Sequence, residues 1–296
     1  MYRKNINSFN FKNLTTMIKN LIYCTMLGAA ILTGCAGGGN NGATQNTEKT
    51  EPLKFQRFQD SVGFVANNVT HFAISMVDFP VSGPEALVNV LKGILAERYQ
   101  LPIDDAKDGK TFVNKVTTSN LDRVRDVVND DIANEVPMDM GYYIESNIIK
   151  LYENDKIITL GSGGYDFLGG THGLGHSLGV TLRKSDGKVI SKDILKADAW
   201  NQLQDKVAAS LCKFLEVENN EELYDILNKE NIKYDEATKT LTIPAPQNQP
   251  FIVNDTVFFP YSDSEITPHA VGLPEVTLPI KDIKSHLNPE VAELFK

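Results

Sequence analysis

A glycine-rich segment near the middle of the chain constrains the fold most. Six glycines fall between residues 161 and 173, and others follow at 175, 179 and 187. Because glycine destabilises a helix interior by about 0.5–1 kcal/mol relative to alanine, the segment predicts strands and tight turns. Asp186-Gly187, between apolar residues 180–182 and 189–190, is typical of a two-residue hairpin turn. Residues 161–164 lack the lysine and helix start of a phosphate-binding loop, so we interpret these glycines as places where strands approach closely.

The first 34 residues have the pattern of an export signal. Four basic residues and no acidic ones precede an apolar run over residues 21–32, which is too short to span a bilayer. Leu-Thr-Gly-Cys at residues 32–35 resembles the lipobox of bacterial lipoproteins, which predicts that Cys35 is acylated and becomes the mature N-terminus. The alternative is an ordinary signal peptide with a chance cysteine. Residues 35–52, rich in Gly, Asn and Thr, are predicted to be a flexible tether.

The mature chain is expected to be acidic. Cleavage before Cys35 removes four basic residues and changes the formal net charge from −9 to −13. Nucleic acid is therefore excluded as a partner, because it requires a basic surface. Of the three cysteines only Cys212 then remains unmodified, so no disulfide is expected, and we interpret Cys212 as a small core residue.

Strands and helices are predicted in separate runs, which favours an α+β fold with antiparallel sheets and helices packed on one face. Two modules are expected, an N-terminal one over residues 53–160 and a C-terminal one over residues 161–296. Capping boxes at residues 82–85 and 119–122 predict two helix starts. The strands are predicted at residues 55–81, 142–152, 156–167, the central segment, 239–243 and 251–261, and the later helices at 200–214 and 219–227.

Two ordered motifs in the second half carry a family resemblance. Gly-Gly-Thr-His-Gly at residues 169–173, with Asp-Gly-Lys at 186–188 and Asp-Ile-Leu at 193–195, resembles a Gly-Gly-Ala-His-Gly … Thr-Gly-Lys … Asp-Leu-Phe signature. Residues 259–279 are similar to the closing segment of the same bacterial extracytoplasmic domain, with His269 where tyrosine is common and an insertion at 262–264. This domain ends lysozyme-sensing anti-sigma factors, accompanies the catalytic domain of peptidoglycan deacetylases, and forms free-standing lipoproteins.

The resemblance implies a partner-binding function in the cell envelope. An anti-sigma factor needs a membrane-spanning helix where this chain has a lipobox, and the deacetylase motifs are absent from the sequence. The expected partner is a lysozyme-like protein or a cell-wall glycan, and no cofactor is implied. The lipid on Cys35 would hold the protein on a membrane, with the periplasmic side of the outer membrane as the default location.

Histidines 172, 176 and 269 are the candidates for a metal site. On a helix, His172 and His176 would lie within about 6 Å of each other, but on a strand they lie about 13 Å apart, which no single ion spans. They are therefore predicted to be structural side chains that point the same way as a row of apolar residues. Asp166 or Glu145 would be needed to complete a ligand set.

Other side chains are candidates for a binding surface. Tyr165, Asp166 and Phe167 are predicted to form an exposed aromatic tip that stacks on sugars or anchors a protein. The set is completed by four residues of the two family motifs: His172, Tyr261, Glu265 and His269. No catalytic residue is predicted, because the sequence has no nucleophile elbow and no other catalytic constellation. The sequence favours a non-enzymatic binding module, with a metal-assisted hydrolase of a cell-wall substrate as the alternative.

Overall fold

The computed structural model describes residues 52–296, which belong to a single compact unit. The predicted signal peptide, Cys35 and the tether up to residue 51 lie outside the described residues. Within the described part, no helix is both long and apolar enough to cross a membrane. The architecture is α+β, as the sequence predicts, with one large sheet, one small sheet and one short hairpin.

The large sheet has five strands in the order β1-β2-β3-β4-β5. The turn at Asn154-Asp155 joins the two strands that the sequence predicts on either side of it. A further turn at Asn67-Asn68, which was not predicted, divides the strand predicted over residues 55–81 into two. The strand bounds are β1 Lys54–Ala66, β2 Val69–Ser82, β3 Tyr143–Glu153, β4 Ile157–Phe167 and β5 Leu174–Arg183.

One pairing in this sheet is parallel, where the sequence predicts antiparallel sheets only. Between β2 and β3 the chain forms helix α1, Glu85–Arg98, and helix α2, Gly109–Ala133, and it returns in the original direction beside β2. A crossover of this length permits parallel pairing, which a hairpin cannot produce. Every other pairing in the sheet is antiparallel.

The two helices cover one face of the large sheet. Leu91, Leu95 and Phe112 are fully buried against strand residues that include Val77 and Leu160. Helix α2 begins at Gly109 because Asp108 caps it by accepting a hydrogen bond from the Thr111 amide, 2.9 Å away. The predicted start at residues 119–122 was wrong, since those residues lie inside α2, and the helix at 85 begins after Pro84 with no side-chain cap.

A second layer packs against one end of the opposite face. It contains strands β8 Phe251–Val253, β9 Thr256–Pro260 and β10 Glu275–Pro279, in the order β10-β9-β8, and the hairpin β6 Lys233–Asp235 with β7 Thr240–Thr242. The helices of this layer are α3 Ala199–Gln202, α4 Gln204–Leu215, α5 Asn220–Ile226, α6 Ile280–Ile283 and α7 Pro289–Glu293. Cys212 lies half-buried against the core that they share.

The predicted boundary between residues 160 and 161 needs correction. It falls inside β4, whose residues pair continuously with β5 on both sides of that point, so a single sheet joins the two proposed modules. Two smaller predictions also need correction. The helix predicted over 200–214 is broken at Leu203, and only one bridge, Leu182 with Val189, forms after the Asp186-Gly187 turn.

Candidate functional site

The second layer covers only part of the face that the helices leave free. At the covered end, Phe251 packs on Gly179, and the Thr159 hydroxyl donates to the Ile252 carbonyl at 2.6 Å. The Thr181 hydroxyl accepts from the Ile252 amide at 2.8 Å, which fixes β8 to the large sheet. Beyond this contact the sheet face is exposed or half-exposed. We call this region the open face.

The strand registers define the open face. Its positions alternate with the buried ones and lie side by side across the five strands. They are Gln59, Ser61, Gly63 and Val65 on β1; Thr70, Phe72, Ile74 and Met76 on β2; Tyr143, Glu145 and Asn147 on β3; Gly163 and Tyr165 on β4; and Gly175 and Ser177 on β5.

Aromatic rings form a row across the open face. The Phe72 and Tyr143 rings stack with centroids 5.0 Å apart and planes 3° from parallel. Tyr165 follows, its ring centroid 6.0 Å from that of Tyr143. All three side chains are half-buried. Partial burial and the nearby Tyr165 raise the pKa of Tyr143, so its hydroxyl stays protonated and can donate a hydrogen bond.

The open face carries little charge. Glu145 is the one charged side chain among the positions named above, although 23% of the whole chain is charged. The neighbouring charges at the end of the face are paired, since Arg57 donates to both oxygens of Asp78 at 2.7 and 2.9 Å. Exposed sheet faces usually carry polar and charged residues, so an aromatic face with one charged side chain is a candidate contact surface.

Residues 169–173, which include His172, border the open face next to Tyr165. The Gly173 amide donates to the Tyr165 hydroxyl at 3.1 Å, which attaches the 169–173 segment to the aromatic row. The His172 ring lies against the His269 ring at a centroid distance of 4.9 Å. His269 Nδ1 is 2.6 Å from a carboxylate oxygen of Asp263. The two family motifs therefore meet at one edge of the open face.

Several residues predicted for a binding surface have structural roles instead. Phe167 is only 8% exposed and packs on Tyr142 and Tyr143, so the predicted aromatic tip does not form. Tyr261 is fully buried and donates to the Pro244 carbonyl at 2.7 Å, and burial raises its pKa. Both side chains are predicted incorrectly as surface contacts.

The two predicted acidic contacts are engaged in bonds within the chain. Asp166 forms an ion pair with Arg123 at 2.9 Å. Glu265 accepts from the amides of Ser262 and Gln247 at 2.7 and 2.8 Å and so holds two loops together. Of the predicted surface set, Tyr165, His172 and His269 lie together at the open face and its border.

The three histidines do not converge. His172 lies in the loop before β5, so its predicted strand alignment with His176 was wrong. His176 lies on the helix-covered face, where burial and the nearby charge of Arg98 lower its pKa. Among residues 52–296, no group of three or more His, Cys, Asp or Glu side chains is placed to hold a metal ion.

Phe72 and Tyr143 were absent from the sequence-based set. Their strands are predicted correctly, and each side chain is a half-buried aromatic on an alternating strand. The parallel pairing of β2 with β3, which stacks the two rings, has no local signal in the sequence. Glu275 was also absent from the sequence-based set. It lies on β10, and burial raises its pKa to about 7.

Comparison with known proteins shows similarity in the fold alone. A crystal structure of a DUF3298 family member from Bacteroides fragilis NCTC 9343 superposes with a TM-score of 0.62 at 17% identity, covering 82% of this chain and 97% of that one. A DUF3298 family protein from Pseudomonas aeruginosa PAO1 is similar with a TM-score of 0.49 at 12% identity, over 81% of this chain and 97% of the other. No family model and no curated protein matches the sequence. The chain thus has the fold of the Bacteroides DUF3298 protein.

Proposed function

We propose that the chain is a non-enzymatic binding module of the bacterial cell envelope, anchored by a lipid on Cys35 and facing the periplasm. The observation that carries the proposal is the open face, an aromatic surface with a single charged side chain that is left uncovered on an otherwise packed sheet. The meeting of both family motifs at its edge supports the same surface. The partner is a cell-wall glycan or a lysozyme-like protein.

The metal-assisted hydrolase is the weaker alternative. It requires His172, His176 and His269 to share an ion with carboxylates, because ligands must converge on a point about 2 Å from each. His176 instead lies on the opposite face of the sheet, beside Arg98 and Arg123, which disfavour a cation. Among residues 52–296, Asp263 is the carboxylate hydrogen-bonded to one of these histidines, and of the three it contacts His269 alone.

Site-specific photo-crosslinking in intact cells tests the proposal. A photoreactive phenylalanine analogue would replace Ser61 on the open face, and in a control it would replace Asp126, which is exposed on the other side of the molecule in α2. We expect an envelope component to be captured from residue 61 and not from residue 126. Equal capture from the two positions, or no capture from residue 61, would contradict the proposed surface.

Lipid attachment is tested separately. A Cys35→Ala variant is expected to lose incorporation of labelled palmitate and to be released from the membrane fraction. A Cys212→Ala variant serves as the control and should keep both properties. Retained labelling in Cys35→Ala would remove the anchor from the proposal without affecting the open face.

A further inference from the structure

We propose that the open face binds a neutral oligosaccharide, with the outer side of the Phe72 ring as a stacking platform. The inference rests on the proposed binding function and names the chemistry of the ligand. It follows from the charge of the face, the geometry of its rings and the polar groups around them.

The charge of the face selects an uncharged ligand. No lysine or arginine on the open face is available to an anionic polymer, because Arg57, at its end, is already bound to both oxygens of Asp78. Glu145 would repel a polyanion, and the chain as a whole carries a formal net charge of −9. A cationic partner would meet a single carboxylate. The sparse charge of this surface therefore favours a neutral ligand.

The Phe72 ring is a half-exposed platform with a glycine beside it. Tyr143 occupies one side of the Phe72 ring. The neighbour of Phe72 on β1 is Gly63, which contributes no side chain on the other side of the ring. The axial C–H groups of a pyranose ring stack on an aromatic face, and a half-exposed phenyl ring suits that contact.

Polar side chains surround the aromatic row. They are uncharged except for one carboxylate, and each can bond to hydroxyl groups. Ser61 and Thr70 flank Gly63 and Phe72, whereas Glu145, Asn147 and Ser177 lie beside Tyr143 and Tyr165. A ligand with hydroxyl groups along its length matches this arrangement. The cores of protein interfaces, by comparison, are commonly enriched in Arg as well as aromatic residues, and the open face offers no free arginine.

Isothermal titration calorimetry on the full chain tests the inference, in a detergent without a sugar headgroup. The probes are β-1,4-linked tetramers of N-acetylglucosamine and of glucose, with a tetramer of galacturonic acid as the anionic comparison. We expect at least one neutral tetramer to bind and the anionic tetramer not to bind. The Phe72→Leu variant, which keeps an apolar side chain and removes the ring, should weaken binding about tenfold.

Phe258→Leu is the matched control, because Phe258 is also half-buried and stacked on another ring, Phe251, but belongs to the small sheet and not to the open-face positions. It should bind as the unmodified chain does. Failure of both neutral tetramers to bind at about 10 mM, or equal weakening by the two variants, would overturn the inference. So would binding of the anionic tetramer as tightly as the neutral ones. Capture of a protein from residue 61 in the crosslinking experiment, together with no sugar binding, would leave the proposed function standing and remove only the saccharide.

Discussion

The two faces of the large sheet are built from the same strands and differ in what covers them. On the helix-covered face, Val77, Leu160 and Leu182 are at most 1% exposed beneath α1 and α2. On the open face, Phe72, Ile74 and Tyr143 are only half-buried, and Val65 is 70% exposed. Apolar side chains on the first face stabilise the fold. The same residue types on the second face contribute less to stability, because they remain partly in water.

The border between the covered and open parts of the second face is equally sharp. Gly179 is filled by the Phe251 ring, whereas Gly163, one strand away on the same face, has space for a methyl group. The small sheet therefore ends between two glycines that look alike in the sequence. Four predictions would break or sharpen these comparisons.

The largest effect is expected from Phe112→Ala under the helices. Phe112 is fully buried and packs against Phe79 and Tyr99, so its removal leaves a cavity and should lower the free energy of unfolding by about 3–5 kcal/mol. Phe72→Ala, the same change on the open face, should cost about 1–2 kcal/mol because half of that side chain is already in water. Urea unfolding of both variants measures the difference. Equal losses would mean that both faces are core.

Gly179→Ala should destabilise by about 1–3 kcal/mol, because the added methyl group would overlap the Phe251 ring. Gly163→Ala is the control: its methyl group would lie 3.5 Å from the nearest atom, the His176 carbonyl oxygen. The control should be neutral or stabilising by up to about 1 kcal/mol, since alanine restricts the unfolded chain. Thermal unfolding distinguishes them, and a destabilised Gly163→Ala would show that the second layer extends further than the structure indicates.

Glu275→Gln should stabilise the protein by about 1–2 kcal/mol above pH 7. Burial raises the pKa of Glu275 from its usual value of 4.5 to about 7, so the folded state binds more protons than the unfolded state between those values. Stability should consequently fall as the pH rises from about 4.5 to about 7, and the glutamine variant should lack that part of the decline.

Glu230→Gln, at an exposed position, is the control for the charge change and should leave the pH dependence unaltered. Urea midpoints measured across this pH range compare the two variants with the unmodified chain. A pH profile of Glu275→Gln that matches the unmodified chain would show that the Glu275 carboxylate is solvated.

The smallest effect is expected from Val65→Thr on the open face, below about 0.5 kcal/mol, because the side chain is exposed and threonine suits a strand. Val77→Thr makes the same change at a fully buried position on the other face and should cost about 1–3 kcal/mol for the unpaired hydroxyl. Chemical denaturation of both proteins provides the measurement. A large loss from Val65→Thr would mean that residue 65 is covered in solution.

Much of the fold could be predicted from local signals. The strand pair on either side of residues 154–155 follows from alternation and turn residues, and the helix over 220–226 follows from its asparagine cap. The start of α2 was missed because Asp108, its true cap, belongs to a run of aspartates that reads as a loop. Of the candidate site, His172 and Tyr165 were found because they belong to the glycine-rich segment, and His269 because it belongs to the second motif. Phe72 and Tyr143 were not.

The sequence by itself determined which segments are strands or helices, which residues within each strand share a face, and that the central glycines prevent a helix. Those properties depend on neighbours in the chain, so they are visible in it. The tertiary structure alone decided that β2 and β3 are parallel, that Phe72 therefore stacks on Tyr143, and that the small sheet stops at Gly179. These outcomes depend on contacts between residues far apart in sequence, and the open face exists because of them.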